Sequence, residues 1–497
     1  MVVLTASQSR EADRLAIETR GIPSSILMEN AGKAVFESLK QNVPDLSRKR
    51  VVVVAGPGNN GGDGRIVMRL LKGVARDVRI VDVGAGFSRP SQHPEWDARS
   101  LHACDIIIDA LFGTGLSRPM EGEAKAAIEA INRSKKWVIA IDIPSGLSAD
   151  MGEPLGVAVK ADVTVTMGRP KLGLVLPQGA PYVGRLEIAD IGVPDEIYGT
   201  LGSRTHWVTQ EDVQPWFEKR GADTHKGTYG HVLLIGGSET KAGAILLSGR
   251  AALRTGAGLA TVVLPDRAFR KFPKGFLELM YEPLPSHRSG TLARKAWVKL
   301  AKVLEGKAAV AMGPGLGMNA ETKVLVRNTV LKATSPLVLD ADALSSLSPP
   351  DLKKRKQPAV LTPHPGEMSR LTGLSTTKIQ KDRIGVASDF AVKYGAIAIL
   401  KGFRTVTASP DGNVFINSTG NPGMATAGMG DVLTGVIASL IAQGLEREKA
   451  AVAGVYLHGR AGDRVAERLG DRGLLASDVI DELPHAIREL IENEVRL

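Results

Sequence analysis

Val51–Val52–Val53–Val54–Ala55–Gly56–Pro57–Gly58–Asn59–Asn60–Gly61–Gly62–Asp63–Gly64, followed by a helical pattern over residues 66–71, is the stretch from which the architecture can be worked out. Four valines in a row, with no polar alternation, suit a strand covered on both faces by helices. Five glycines then lead towards a helix, a costly choice in chain entropy unless the backbone must approach something closely. Amides at a helix N-terminus offer donors and partial positive charge to a phosphate. The spacing is not GxGxxG and the phosphate-loop lysine is absent, so neither standard nucleotide fingerprint applies. A tight strand-to-helix turn would account for the glycines, but not for Asn59, Asn60 and Asp63.

Working outward, further apolar runs at 78–83, 105–108, 137–141 and 163–166 repeat the strand pattern at regular intervals. Two helices precede them. One covers 10–19 and closes at Gly21 and Pro23; the other runs from a Ser24 or Ser25 cap to about residue 39. This order predicts a doubly wound, mostly parallel α/β sheet. A second α/β series follows, with strands at 231–235, 260–264, 308–312, 337–339, 359–361 and 396–400. Strands at 404–408 and 414–417 make a hairpin around Pro410–Asp411–Gly412, and helices cover 429–444 and 446–469. The composition loosens between 192 and 223. Two domains, 1–211 and 212–497, follow, as 497 residues exceed what one core usually serves.

With 43% hydrophobic and 23% charged residues the chain reads as an ordinary globular protein. No apolar run approaches the roughly 20 residues of a membrane span, and the N-terminus carries no export pattern. The single cysteine, Cys104, rules out an intramolecular disulfide and fits a reducing cytoplasm; its place before an apolar run suggests a buried structural thiol. A net charge of +10 invites a nucleic-acid partner, but basic and acidic residues are interspersed and aromatics make up only 4%. Attraction of anionic nucleotides is the simpler account. Clusters such as Arg48–Lys49–Arg50 and Lys353–Lys354–Arg355–Lys356 read as solvated charges.

Two of the strands end in carboxylates: Asp109 opens Asp–Ala–Leu–Phe–Gly–Thr–Gly–Leu and Asp142 opens Asp–Ile–Pro–Ser–Gly–Leu. In a parallel sheet the carboxyl ends share one edge, so both should face the crevice of the glycine stretch. Either could merely cap a helix. Together they favour a site in which Asp142 moves a proton and Asn60, Asp109 and Ser145 offer oxygens to an alkali cation.

The densest signal is Asn417–Ser418–Thr419–Gly420–Asn421–Pro422–Gly423–Met424–Ala425–Thr426–Ala427–Gly428–Met429–Gly430–Asp431, leading into an apolar helix. Amides of residues 428–431 can form an anion hole for a transferring phosphoryl group, with Asp431 taking the proton of an acceptor hydroxyl. A glycine-containing helix start capped by Asp431 is the plainer explanation, but the density of small residues favours the functional one.

Met28–Glu29–Asn30–Ala31–Gly32, the 56–64 stretch, the Asp109 and Asp142 segments, and Lys171–Leu172–Gly173–Leu174 with Pro177 and Gly179 resemble the N-terminal domain of the NAD(P)H-hydrate epimerase family over about residues 6–194. The resemblance implies a Rossmann-like fold that interconverts the epimers of nicotinamide cofactor hydrated on its ring. By position, Asn59, Asn60, Gly61, Gly62 and Asp63, with Gly113, Thr114, Gly115, Leu116, Ser117, Arg118 and Pro119, would bind substrate. Asp142 would contact it, and Asn60, Asp109 and Ser145 would hold potassium. Arg65 departs from the apolar or small residue expected there.

The GMGD core is similar to the ribokinase-like fold, and its surroundings narrow the likeness to the NAD(P)H-hydrate dehydratase domain. They are His225–Lys226–Gly227, Lys241–Ala242–Gly243–Ala244, Gly313–Pro314–Gly315–Leu316–Gly317, Asp340–Ala341–Asp342–Ala343–Leu344 and Thr362–Pro363–His364–Pro365–Gly366–Glu367. This implies that Ala244, Gly315, His364 and Asp431 meet the damaged cofactor, while Lys401, Gly402, Phe403, Arg404, Thr405 and Gly430 meet the nucleotide. Ala427 replaces a commoner glycine. The expected chemistry is phosphorylation of the ring hydroxyl with Asp431 as base, then loss of phosphate. Magnesium accompanies the nucleotide, and the fusion to an epimerase implies ADP as donor. The partners expected are hydrated NADH and NADPH and ADP, in a cytoplasmic homo-oligomer, with no nucleic acid or membrane. A ribokinase-like small-molecule kinase fused to a nucleotide- or RNA-binding domain is the alternative.

Overall fold

The four valines of the opening stretch lie in strand β1 (Arg50–Ala55) and point alternately to two cores. Val51 and Val53 join one cluster with Val35, Leu39 and Val67; Val52 and Val54 join another with Ile107, Ile128 and Ile131. Both faces are covered, which is why no polar residue interrupts the run. In the computed structural model, which describes residues 1–84, 101–116, 118–271 and 276–492, the chain divides into two compact units, Met1–Trp207 and Val208–Leu497.

The first unit continues with β2 (Asp77–Asp82), β3 (Ile106–Ala110), β4 (Trp137–Ile141), β5 (Val163–Met167) and β6 (Arg185–Ala189), all parallel, in the order β2-β1-β3-β4-β5-β6. The order reverses between β1 and β3, and such a switch point opens a crevice at the carboxyl ends of the strands. Two expectations change here. The first helix starts at Ala6, capped by Thr5 with Gln8, and ends at Gly21 in a left-handed conformation (φ 67°). Ser24 and Ser25 lie inside the second helix, Ser24–Asn42, whose capping position is Pro23.

The glycine stretch is not a loop. The helix begins at Asn59 and runs to Leu71, so Gly61, Gly62 and Gly64 lie in its first turns. Their smallness is a packing requirement: a Cβ on Gly61 would stand 1.9 Å from the Gly56 carbonyl oxygen, and one on Gly64 2.6 Å from Ala110 Cβ. Arg65 fits an exposed helix start, donating to the Gly61 carbonyl (3.0 Å) and pairing with Asp82.

Strand β7 (Thr205–Val208) marks the division between the units. The second unit contains β8 (His231–Ile235), β9 (Leu259–Pro265), β10 (Met280–Leu284), β11 (Ala309–Met312), β12 (Leu337–Leu339), β13 (Val360–Leu361), β14 (Ile397–Leu400), β15 (Val406–Ala408) and β16 (Val414–Asn417). They run in the order β10-β9-β8-β11-β12-β13-β14-β15-β16. Pairing is parallel from β10 to β14, and β14-β15-β16 is the antiparallel meander that the Pro–Asp–Gly turn implied. The helix Met429–Ala442 is buried almost all round. It lies close against Ala242–Thr255, where a Cβ on Gly435 would come within 2.1 Å of the Ser248 carbonyl oxygen. A further amphipathic helix, Ala476–Glu492, packs Val479, Ile480, Leu483 and Leu490 into the same core.

Arg355 corrects the reading of its cluster as solvated charge. Its guanidinium donates to the carbonyls of Val330 (2.7 Å), Ala333 (3.1 Å) and Ser335 (3.1 Å), closing the end of the helix Ala320–Lys332. Cys104 is buried, as expected of a structural thiol. No described helix is long and apolar enough to cross a membrane.

Candidate functional sites, one in each unit

In the first unit a cleft of about 600 Å³ lies at the carboxyl ends of β1, β3 and β4. Asn59, Asn60 and Asp63, Gly113 to Leu116, Arg118 and Asp142 line it, whereas Gly61, Gly62 and Pro119 are not among its lining residues. Ser117 lies outside the described residues.

Asp109 ends β3 completely buried and accepts hydrogen bonds from Ser145 Oγ (2.6 Å), Ser145 N (2.8 Å) and Leu111 N (3.3 Å). Burial pushes its carboxyl up to about 6, against the pull of the Ser145 bonds. The Ser145 hydroxyl in turn accepts from Phe112 N (2.9 Å), tying the two strand-end loops together. Asn60, 7% exposed, keeps an amide nitrogen with no hydrogen-bond partner. A buried amide left unpaired costs about 1–3 kcal/mol, so it points to something that binds.

Asp142 ends β4 with φ 66°, a strained conformation for a side-chain-bearing residue and one that clusters at functional sites. Its Oδ1 meets Lys171 Nζ at 2.5 Å, and that ammonium also donates to the Met167 carbonyl (2.9 Å) and Thr166 Oγ1 (3.2 Å). Lys171 is 1% exposed. A Cβ on Gly113 would stand 3.4 Å from Asp142 Oδ2 and 3.6 Å from Asn60 Oδ1, so both residues flank Gly113. Asp13, from the first helix, joins the cleft as well. Lys171 had been quoted only as part of a motif; Asp13 carried no signal, since one aspartate on an amphipathic helix looks like any solvated charge.

In the second unit, Asp431 lies in the first turn of Met429–Ala442, but the cap is Gly428 (φ 90°), with no side-chain capping bond. The plainer explanation of Asp431 as a helix cap is therefore wrong. Burial, and then Asp340, push its carboxyl up to about 7, with Lys401 pulling the other way. Lys401 forms an ion pair with Asp340 (2.7 Å) and lies 3.8 Å from Glu367. Burial opposes its charge, yet Asp340 and Glu367 hold the ammonium above its ordinary range. Asp340 ends β12 almost fully buried, and its Oδ2 accepts from Thr434 Oγ1 (2.8 Å). Asp340 was legible only as part of a motif; its partners are 61 and 94 positions away.

Gly430 reaches the same centre, since a Cβ there would be 3.3 Å from Lys401 Nζ. Ala244 is linked through Ser248, whose hydroxyl donates to the Ala244 carbonyl (3.3 Å) and the Asp431 carbonyl (2.7 Å). Gly315 (φ 61°) lies against Ala244, with a built Cβ 3.2 Å from its Cβ. His364 caps the helix Pro365–Thr372: its Nδ1 accepts from Gly366 N (3.0 Å) and its own amide donates to Glu367 Oε2 (2.8 Å). Its ring is half exposed, leaving Nε2 accessible, 3.6 Å from Glu367 Oε1. In the 401–405 segment, Thr405 Oγ1 donates to the Gly402 carbonyl (2.8 Å), Phe403 is exposed, and Arg404 is held at φ 55°. Asp463, which the sequence reading passed over, clamps the Asn–Pro–Gly turn by accepting from Gly420 N and Asn421 Nδ2 (2.9 Å each).

Among the described residues, no three His, Cys, Asp or Glu converge as a metal cage.

Residues 232–485 match the family described as NAD(P)H-hydrate dehydratase, and residues 24–102 and 85–173 match the YjeF-related protein N-terminus. A Moorella thermoacetica protein called bifunctional NAD(P)H-hydrate repair enzyme is 41% identical over 99% of this chain and 98% of its own length. Its namesake in Escherichia coli K12 is 34% identical over 97% and 93%. The solved structure of the ADP/ATP-dependent NAD(P)H-hydrate dehydratase from Bacillus subtilis, co-crystallised with ATP/Mg2+, is 34% identical. It covers 57% of this chain and 98% of its own, with a TM-score of 0.52.

Proposed function

The chain belongs to the family of bifunctional NAD(P)H-hydrate repair enzymes, and from that premise we propose how its residues divide the repair. The first unit interconverts the R and S hydrates, and the second dehydrates the S form with ADP. Tethering them makes stereochemical sense, because a dehydratase that takes one epimer strands the other.

In the second unit Asp431 takes the proton of the ring hydroxyl as its oxygen attacks the terminal phosphorus of ADP and AMP departs. The carbon–oxygen bond then breaks, phosphate leaves with the bonding pair, and the ring nitrogen lone pair forms a C=N bond. Loss of a proton from the neighbouring carbon restores the dihydropyridine. The hard chemistry belongs to the cofactor, and the protein positions it. One observation carries this assignment: an uncapped carboxylate at a helix N-terminus, held near neutrality by burial and Asp340, suits a general base. Lys401, Gly402, Phe403, Arg404, Thr405 and Gly430 would face the nucleotide; Ala244, Gly315 and His364 would face the hydrate. Magnesium would accompany the nucleotide phosphates and neutralise charge on the transferring phosphoryl group.

In the first unit, Asn59 to Asp63, Gly113 to Pro119 and Asp142 would bind the hydrate. Potassium would lie among the oxygens of Asn60, Asp109 and Ser145, where a buried carboxylate with no Lys or Arg partner among the described residues suits a monovalent cation. The lone buried cysteine supports a cytoplasmic setting.

The test is the purified chain with S hydrate and ADP. Dihydropyridine absorbance should return with one AMP and one phosphate released per turnover. A phosphorylated product accumulating without phosphate release would instead support the small-molecule kinase reading.

A further inference from the structure

The cleft of the first unit gathers carboxylates from three separate elements. Asp13 from the helix Ala6–Arg20, Asp63 from Asn59–Leu71 and Asp142 from the end of β4 all line it. The basic residues among its described lining are Arg10, Arg118 and Lys171. Arg10 is exposed and donates to the Thr114 carbonyl (3.2 Å), while Lys171 is buried against Asp142 Oδ1 at 2.5 Å. Asp13 is open to the cleft and feels the Lys171 charge. Asp63 alone of the three is influenced by no cation and no hydrogen bond, only by burial and the other two carboxylates.

Neighbouring buried carboxylates resist ionising together, and the one with no cation and no hydrogen bond acting on it retains its proton. Burial first, then Asp142 and Asp13, push the Asp63 carboxyl up to about 8; burial pushes Asp13 up to about 6, moderated by Lys171. The cleft thus offers a neutral carboxylic acid on one helix and a lysine-paired carboxylate on a neighbouring strand end.

The substrate's chemistry needs that combination. Hydration of an enamine places the hydroxyl on the carbon bonded to nitrogen, and the two epimers differ at that carbon. The nitrogen lone pair can expel the hydroxyl if it leaves as water, flattening the ring to a C=N cation; water returning to the other face inverts the centre.

Resting on the epimerase reading above, we propose that Asp63 and Asp142 are a two-sided acid–base pair for this exchange. Asp63 gives its proton to the departing hydroxyl, the C–O bond breaks with its pair going to oxygen, and the nitrogen lone pair closes the C=N bond. Water then bonds to the carbon from the opposite face, its proton passes to Asp142, and the C=N pair returns to nitrogen. The two carboxyls end with exchanged protonation, which is the starting state for the reverse reaction.

The experiment is epimerisation of S hydrate by the full chain in H₂¹⁸O without ADP. Each R product should carry solvent oxygen, above the uncatalysed exchange; R product retaining its original oxygen overturns the proposal, since the C–N bond would then have broken instead. Asp63→Asn should lower kcat for epimerisation by about 10²–10⁴-fold, well beyond any change in KM for the hydrate, and dehydration with ADP should be unaffected. The wild-type loss of rate above about pH 8, where Asp63 gives up its proton, should vanish in that variant, and Asp63→Glu should recover part of the rate. A raised KM with unchanged kcat in Asp63→Asn leaves Asp63 only its binding role and overturns the proposal. A wild-type chain that dehydrates but never epimerises overturns the epimerase reading beneath it.

Discussion

Dehydration should switch on with pH around neutrality, because the base proposed for it is a carboxyl pushed up to about 7 by burial and by Asp340. At pH 6 about one Asp431 in eleven would be ionised, and at pH 8 about ten in eleven, so turnover should rise roughly tenfold across that interval. A carboxylate of ordinary acidity, near 3.9, would give a flat profile there. Asp340→Asn removes a negative neighbour, so the rising limb should move to lower pH by on the order of one unit. Asp431→Asn keeps the shape and removes the base: ADP should still bind, and turnover should fall by about 10²–10⁴-fold, roughly 3–5 kcal/mol of barrier. The same variant separates base from cap by its stability. A carboxyl whose folded pKa exceeds its unfolded value binds more protons when folded between about pH 4 and pH 7, so stability is lost as pH rises through that window. Asp431→Asn should therefore raise the melting temperature of the second unit at pH 8, whereas loss of a cap would cost about 1 kcal/mol. The assay is absorbance recovery at saturating ADP and S hydrate from about pH 5.5 to 9, beside melting curves at pH 5 and 8. A flat profile, or Asp431→Asn within a few-fold of wild type, would refute the reasoning and require another base.

Gly61→Ala would bring a methyl 1.9 Å from the Gly56 carbonyl oxygen. The first unit should lose about 1–3 kcal/mol and its epimerase activity while dehydration persists; an unchanged melting transition would show that the helix start can shift to make room. Arg355→Ala strips three carbonyls of their donor and should destabilise the second unit by about 1–3 kcal/mol, with KM for ADP and hydrate unmoved. Fragments cut near residue 208, between the compact units, should each keep one activity; a C-terminal fragment unable to dehydrate the S hydrate would show that its site needs the first unit. Replacing potassium by lithium should weaken hydrate binding in the first unit, since a smaller cation fits an oxygen cage less well, and identical affinity in both salts would remove the cation from the site.

The apolar runs by themselves determined where most strands lie, because a strand buried on both faces has no polar residue to blur its limits; 137–141, 231–235, 337–339 and 414–417 coincide with the observed strands. The cleft-lining motifs were also legible, since a parallel sheet delivers every strand end to one edge. Strands β6 and β10 were not, for Arg185 and Glu187 interrupt the apolar pattern of β6 and Glu282 and Pro283 that of β10. The role of the glycines was half legible. Their number announced a close approach, but only the packing showed that Gly61 and Gly64 serve the Gly56 carbonyl and Ala110. Tertiary structure alone decided the electrostatics of both sites. Lys171 meets Asp142 across 29 positions, Lys401 meets Asp340 across 61, and burial, with carboxylates on two other elements, raises the hold of Asp63 on its proton. A pKa depends on burial and on charges a few ångströms away, and the order of residues along a chain fixes neither until the chain has folded.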